Sequence, residues 1–110
     1  KGIIMSAYIV FNYVITDRNR IDELTQQSLA VNEQYGAKVI VGSPVKAVEG
    51  KTLPNMVILE FINFEAAQTF YNSPEHQALT LLRNEITQGW ATIMPGGSET
   101  QAIIESGYFN

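Results

Sequence analysis

The chain has one histidine, His76, which stands seven residues before Arg83. Histidine is the side chain whose ordinary pKa lies nearest to pH 7, so we expect His76 to supply any general acid or base step at neutral pH. In a helix, residues seven apart lie only ~20° apart around the axis, which would put the imidazole and the guanidinium on one side. The pair could hold an anionic or enolate-like ligand, with His76 as proton shuttle and Arg83 as anion clamp. The alternative is structural: a partly exposed histidine and an arginine paired with a carboxylate.

Glu60 is the third candidate catalytic residue, because it lies within the otherwise apolar segment Asn55 to Ile62. On a strand it would point to the face opposite its two apolar neighbours. A buried carboxylate there would either have a raised pKa, which suits an orienting or proton-abstracting base, or pair with Arg83. A purely structural ion pair, or simple exposure at the strand end, is the alternative.

Four further side chains are predicted to line a ligand pocket between helices and sheet: Asn12, Asn32, Tyr71 and Trp90. The two asparagines are amides in apolar surroundings, where such groups need hydrogen-bond partners. The tyrosine and the tryptophan each combine a large apolar ring with one polar donor. The alternative for the two aromatic residues is ordinary core packing, and for the asparagines it is a hydrogen bond to nearby backbone, so the sequence leaves both roles open.

The composition excludes several kinds of site. With 110 residues, 45% of them hydrophobic, the chain is expected to form one soluble domain, and its apolar runs are too short to span a membrane. No cysteine and one histidine cannot supply the ligands of an ordinary zinc site, and no nucleotide-binding loop is present, so we predict no metal and no cofactor. The net charge of −4 disfavours nucleic acid and membrane surfaces as partners. Because no secretory signal is recognisable, a cytoplasmic location is expected.

The first half of the chain predicts a strand, a helix and an edge strand. Ala7 to Val14 is rich in β-branched and aromatic residues, as in a strand covered on both faces. Asp17 is expected to cap the following helix and Gly36 to end it. Two short β-branched stretches, 38–41 and 45–48, then predict one bent edge strand or a bulged hairpin.

The second half predicts a central strand, two short helices and a last strand. Asn55 to Ile62 is the most apolar strand. Asn63 and Ser73 are expected N-caps of consecutive helices, the second reaching about Gln88, where Gly89 ends it. Trp90 to Met94 follows as a strand. The order β-α-β-β-α-β predicts a ferredoxin-like α+β domain over residues 1–97, with an antiparallel sheet and both helical layers on one face.

The other face of this sheet should be apolar, and we expect a second copy of the chain to cover it as a homodimer. Residues 98–110 form an extension that begins with the possible capping box Ser98 to Gln101 and continues with apolar residues. Such a segment is predicted to pack on its own core or on the partner subunit, the alternative being a frayed end.

Segments from about Ser6 to Met94 also match one family in residue type and spacing. They are Tyr35-Gly36, Ala47-Val48-Glu49-Gly50, Pro54, Val57-Ile58-Leu59-Glu60-Phe61, Phe64-Glu65-Ala66-Ala67, Phe70-Tyr71-Asn72-Ser73-Pro74-Glu75-His76-Gln77-Ala78-Leu79 and Leu82-Arg83. On these segments the chain resembles the domain-of-unknown-function family numbered 1330, in the dimeric α+β barrel group. It differs at Ala37, Phe70 and His76, where the family usually has glycine, tryptophan and tyrosine.

The resemblance implies a homodimer of ferredoxin-like protomers, in a group that includes cofactor-free monooxygenases, isomerases and heme-handling enzymes. It implies no reaction for the family itself, because a fold does not determine chemistry. The prediction is therefore a cofactor-independent enzyme, monooxygenase- or isomerase-like, that acts on a small apolar metabolite. The alternative is a non-catalytic dimer that binds a small ligand or serves as an interaction module.

Overall fold

A computed structural model describes residues 6–110 of the protein, so the start of the predicted domain, residues 1–5, lies outside the described residues. These described residues form four strands and four helices, with 3-10 turns at Arg18–Arg20 and Gly97–Glu99. In order these elements are β1 (Ala7–Ile15), α1 (Ile21–Tyr35), β2 (Lys38–Pro44), β3 (Asn55–Phe61), α2 (Phe64–Asn72), α3 (Pro74–Ile86), β4 (Thr87–Pro95) and α4 (Thr100–Glu105).

The four strands form one antiparallel sheet in the order β2-β3-β1-β4. The apolar strands β3 and β1 occupy its centre, as the lack of alternation in their sequences indicates. The order of elements and the sheet topology confirm the predicted ferredoxin-like α+β fold.

The two faces of the sheet have different neighbours, because successive residues of a strand point to opposite sides. One side carries residues that pack under the helices, and the main core cluster comprises Ala7, Ile9, Leu59, Phe61, Phe64, Ala67 and Phe70. A second cluster joins α1 to α3 through Leu24, Leu79 and Ile86. On the opposite side, Trp90 and Met94 are 49% and 42% exposed, so apolar surface remains uncovered there.

Several helix ends follow the predicted local chemistry. Gly36 has a φ of +70°, the left-handed conformation that glycine adopts without strain, and it ends α1. The Asn63 side chain accepts a hydrogen bond from the Ala66 amide at the start of α2. Ser73 accepts one from the His76 amide at the start of α3, where Pro74 occupies the first turn.

Three boundary predictions are wrong. Asp17 does not cap a helix with its side chain: its backbone carbonyl instead closes a 3-10 turn with Arg20, and α1 begins only after that turn. The stretch 45–48 is not a strand, so β2 alone forms the predicted bent edge strand, with an irregularity in its pairing to β3 between Val39 and Val41. Gly89 does not end α3, because α3 stops at Ile86 and Gly89 lies within β4.

The C-terminal extension contacts the protomer's own helices. The Glu99 carboxylate accepts a 2.7 Å hydrogen bond from the Phe64 amide at the start of α2. The predicted capping box beginning at Ser98 does not form: Ser98 lies within the 3-10 turn, and Glu99, which directly precedes α4, makes no side-chain cap. The Tyr108 ring packs edge-on against Phe64 with 5.0 Å between centroids, and Ile103 packs against the main core cluster.

The glycine at 89 is required by the close approach of β4 to β1. A Cβ atom there would overlap the Asn12 carbonyl oxygen and the Tyr13 backbone, whereas one at Gly97 would meet open space. We therefore expect Gly89→Ala to lower the free energy of unfolding by about 3 kcal/mol, since neither strand can move away without breaking the ladder. Urea denaturation of the wild type, Gly89→Ala and the control Gly97→Ala measures the free energy of unfolding. An equal effect of Gly97→Ala and Gly89→Ala would contradict the steric explanation.

Candidate functional site

A cavity of about 350 Å³ lies between α1, α3 and the helix-covered side of the sheet. Its volume is within the range of small-molecule pockets. The wall is mainly aliphatic and aromatic, with a few polar groups: Phe11, Tyr13, Ile15, Ile21, Leu24, Thr25, Ser28, Leu29, Asn32, Val39, Val57, Leu59, Phe70, His76, Leu79, Arg83 and Thr87.

Helices α1 and α3 run antiparallel and are joined at both ends. At one end the Tyr35 hydroxyl donates a 2.6 Å hydrogen bond to Glu75, which holds the pKa of that carboxyl below its ordinary value. At the other end Arg20 forms a 2.7 Å ion pair with Glu85. The two helices therefore form opposite walls of the cavity with a defined register.

His76 is fully buried at the start of α3. Its ring packs against Phe70 and Tyr71 at centroid distances of 4.6 and 4.7 Å. Nδ1 lies 3.2 Å from the Tyr71 carbonyl oxygen, which can only accept, so Nδ1 carries the proton. Nε2 is then an acceptor, and it lies 3.5 Å from Nη1 of Arg83.

The imidazole of His76 is neutral at pH 7. Burial, which disfavours the charged form, and the nearby Arg83 cation lower the pKa of His76 to about 4, while the hydrogen bond to Tyr71 acts weakly in the opposite direction. His76 is therefore not half-protonated near pH 7, as its ordinary pKa would suggest. In this state it serves as a hydrogen-bond acceptor toward Arg83.

The guanidinium of Arg83 forms part of the cavity wall. Its central carbon lies 4.7 Å from the centroid of the Phe11 ring, and Nη2 donates a 3.2 Å hydrogen bond to Thr80. Burial lowers the pKa of Arg83, but an arginine remains a cation in proteins. Within residues 6–110, Arg83 forms no ion pair with any carboxylate. The expected carboxylate partner is therefore not found in this part of the chain.

Glu60 and Trp90 lie on the other face of the sheet. The Glu60 carboxylate accepts a 3.3 Å hydrogen bond from Tyr8, its partner in the β1–β3 register. Trp90 pairs with Asn12 in the β1–β4 register and is exposed. The structure thus brings His76 and Arg83 together and leaves Glu60 apart from them, because alternate strand residues face opposite sides.

Asn12 and Asn32, which looked alike in sequence, differ in the structure. The Asn12 amide donates to the carbonyls of Leu53 and Asn55 and accepts from the Leu53 amide, so it holds the loop before β3 and is not part of the cavity. Asn32 lines the cavity. Tyr71 does not line the cavity, but its ring packs against the His76 ring.

Three hydroxyl side chains of the wall, Thr25, Ser28 and Thr87, were not among the predicted pocket residues. Thr25 shares the helical spacing of Ile21 and Ser28, a signal that was present in the sequence. Helical spacing could not have indicated Thr87, because this residue follows the end of α3. Within residues 6–110, no group of three or more histidine, aspartate or glutamate side chains is arranged to hold a metal ion.

An α+β protomer of ferredoxin-like topology, with a small-molecule-sized cavity under its helices, defines the class of this protein. The family model "Domain of unknown function (DUF1330)" matches residues 6–97, and the chain belongs to this family. No curated protein matches the chain in sequence. In the described part of the chain, no helix has the length and apolar character needed to cross a membrane.

Solved structures of similar fold share little sequence with the chain. SnoaB, a cofactor-independent oxygenase from Streptomyces nogalater, has a TM-score of 0.62 at 6% identity, covering 86% of this chain and 95% of that one. A protein of unknown function from Rhodopseudomonas palustris has a TM-score of 0.63 at 12% identity, with coverages of 86% and 82%. A dimeric ferredoxin-like protein of unknown function from Thermobifida fusca has a TM-score of 0.51 at 10% identity, with coverages of 82% and 90%. At these identities the likeness shows the fold alone.

The lowered pKa of His76 makes stability depend on pH. The folded protein binds the imidazole proton less tightly than the unfolded chain, so stability is full above about pH 6.5 and falls as the pH drops toward 4. We expect His76 to account for a loss of about 3 kcal/mol over this window. Urea unfolding of the wild type and of His76→Gln between about pH 7.5 and pH 4 measures it, because the other titrations cancel in the difference. Parallel stability profiles of the two proteins would contradict the assignment.

Proposed function

We propose that the cavity binds a small, largely apolar organic anion and that Arg83 is its charge partner. The observation that carries the proposal is a half-buried guanidinium at the wall of an apolar cavity, with no carboxylate paired to it within residues 6–110. Removing a charge from water is unfavourable unless it is paired. A ligand anion would supply the missing charge, and the apolar wall would bind the rest of the molecule.

The hydrogen bonds of Arg83 leave several of its donors available for such a ligand. A guanidinium has five N–H donors, of which one reaches His76 and one Thr80, so three remain for a carboxylate or enolate oxygen. The Phe11 ring covers one face of the guanidinium and restrains its orientation. Hydrogen bonds between charged groups contribute about 1.5–3 kcal/mol each, enough for selective binding of an anion.

In the catalytic form of this proposal, the protein is a cofactor-independent enzyme. A histidine with a pKa of about 4 is too weak a base to deprotonate a neutral carbon acid near pH 7, so the substrate would have to enter already ionised, as an enolate or phenolate. Arg83 would then stabilise the anion, and His76 would position Arg83. Glu60 has no part in this scheme because it lies on the opposite face of the sheet. The chain shares its fold with SnoaB, a cofactor-independent oxygenase, and this likeness supports the catalytic form of the proposal without assigning a reaction.

We also propose that the protein is a homodimer in which a second copy covers the open sheet face. The exposed Trp90 and Met94 support this, as does the dimeric description of the Thermobifida fusca protein of similar fold. A non-catalytic dimer that binds the same anion is the alternative function. The cytoplasmic location and the absence of nucleic-acid and membrane partners stay predictions.

Benzoate is a suitable probe of the anion site, with benzyl alcohol as its neutral counterpart. We expect the wild type to bind benzoate with a Kd of about 1 mM or below and Arg83→Gln to weaken binding about 10- to 100-fold, since the charged hydrogen bonds are lost. Arg18→Gln removes an exposed arginine that does not line the cavity and should leave the Kd unchanged. NMR titration measures these values. No saturable benzoate binding by the wild type, or equal binding by Arg83→Gln, would contradict the proposed function.

The homodimer is tested by sedimentation. Trp90→Asp places a charge on the open sheet face, where the side chain is already half exposed in the protomer, so the subunit should stay folded and become monomeric. Val48→Asp, at a position 91% exposed and outside the sheet, is the matched control and should remain dimeric. A monomeric wild type at micromolar concentration, or a dimeric Trp90→Asp, would rule out this interface.

A further inference from the structure

Asn32 is a buried polar side chain for which the described part of the chain provides no partner. It is only 8% exposed and lines the cavity, yet within residues 6–110 its side-chain carboxamide forms no hydrogen bond. Its backbone carbonyl accepts from the Gly36 and Ala37 amides at the end of α1. Every fully enclosed side-chain nitrogen and oxygen in this part of the protein has a partner. The carboxamide atoms of Asn32 are therefore not fully enclosed, and the side chain belongs to the cavity lining.

The antiparallel register of α1 and α3 indicates that Asn32 and the guanidinium of Arg83 line the same end of the cavity. Asn32 is three residues before Tyr35, which contacts Glu75, the neighbour of His76. Although Arg83 lies two turns further along α3, its side chain extends back toward the start of that helix and meets His76 and Thr80. A compact ligand at this end can contact both groups.

We propose that Asn32 determines ligand specificity by binding a neutral oxygen of the same molecule whose anionic group binds Arg83. A carboxamide offers two donors and one acceptor oxygen, so it suits a hydroxyl or a carbonyl group. Phe70 and Leu79 line the cavity near this end and suit an apolar ring or chain. The ligand class is therefore an apolar, ring-sized acid that carries a hydroxyl or oxo substituent. The anionic half of this assignment rests on the proposed function.

The three hydroxybenzoate isomers, compared with benzoate, test the assignment. We expect the wild type to bind at least one isomer about 3- to 10-fold more tightly than benzoate, the gain typical of one added hydrogen bond. Asn32→Leu should reduce this ratio to about one and retain benzoate binding. Gln27→Leu makes the same kind of change at an exposed position of α1 outside the cavity and should keep the preference. NMR titration yields all of these constants.

The outcomes separate the two proposals. Suppose that benzoate binding needs Arg83. If the wild type then prefers no hydroxybenzoate isomer over benzoate, or if Asn32→Leu keeps that preference, the role of Asn32 is overturned and the anion site stands. If Arg83→Gln binds benzoate as the wild type does, the anion site fails instead.

A measurement without ligand tests the central premise for Asn32. Because its amide lacks a protein partner, Asn32→Leu should leave the melting temperature unchanged or raise it by a few degrees. A fall of more than about 5 °C would show that the amide has a structural partner, and it would overturn the inference even if no probe binds.

Discussion

The contact between the neutral imidazole of His76 and the cationic guanidinium of Arg83 determines the character of the cavity. Burial and the adjacent cation keep the imidazole unprotonated, so Nε2 can accept where a charged ring would repel. The Phe70 and Tyr71 rings and the Tyr71 carbonyl fix the orientation of the imidazole, and the imidazole in turn helps to orient Arg83. The result is one fixed positive charge at the edge of a mainly apolar cavity.

Those parts of the fold that depend on local chemistry could be read from the sequence. Gly36, Asn63 and Ser73 end or begin helices through groups within four residues, so the short-range rules hold at these three positions, although not at Asp17. Gly89 shows where they fail. It was interpreted as a helix stop, but its role is to let β4 approach Asn12 and Tyr13, which are more than seventy residues away in the chain. Only tertiary structure contains that information.

In the candidate site, too, the sequence predicted what depends on local structure and missed what depends on tertiary structure. The helical period alone was enough to predict that His76 and Arg83 would share one side of α3. Alternation also put Glu60 opposite its neighbours, but which face the helices cover is a tertiary property, so the sequence could not separate it from Arg83. Asn12 and Asn32 were indistinguishable for a related reason: the backbone groups that satisfy Asn12 lie about forty residues away.

Strand β4 follows helix α3 without an intervening loop, and this direct junction limits how the cavity can open. The Ile86 carbonyl, at the junction, accepts hydrogen bonds from the Thr16 and Asp17 amides and from the Thr16 hydroxyl. Displacing α3 would therefore disturb both the end of β1 and the register of β4. Helix α1 packs against α3 through the buried cluster of Leu24, Leu79 and Ile86, and exposed polar contacts of about 0–1 kcal/mol each join the ends of the two helices. Widening the cavity at this end of α3 would therefore break the hydrogen bonds that hold the end of the helix to the residues following β1.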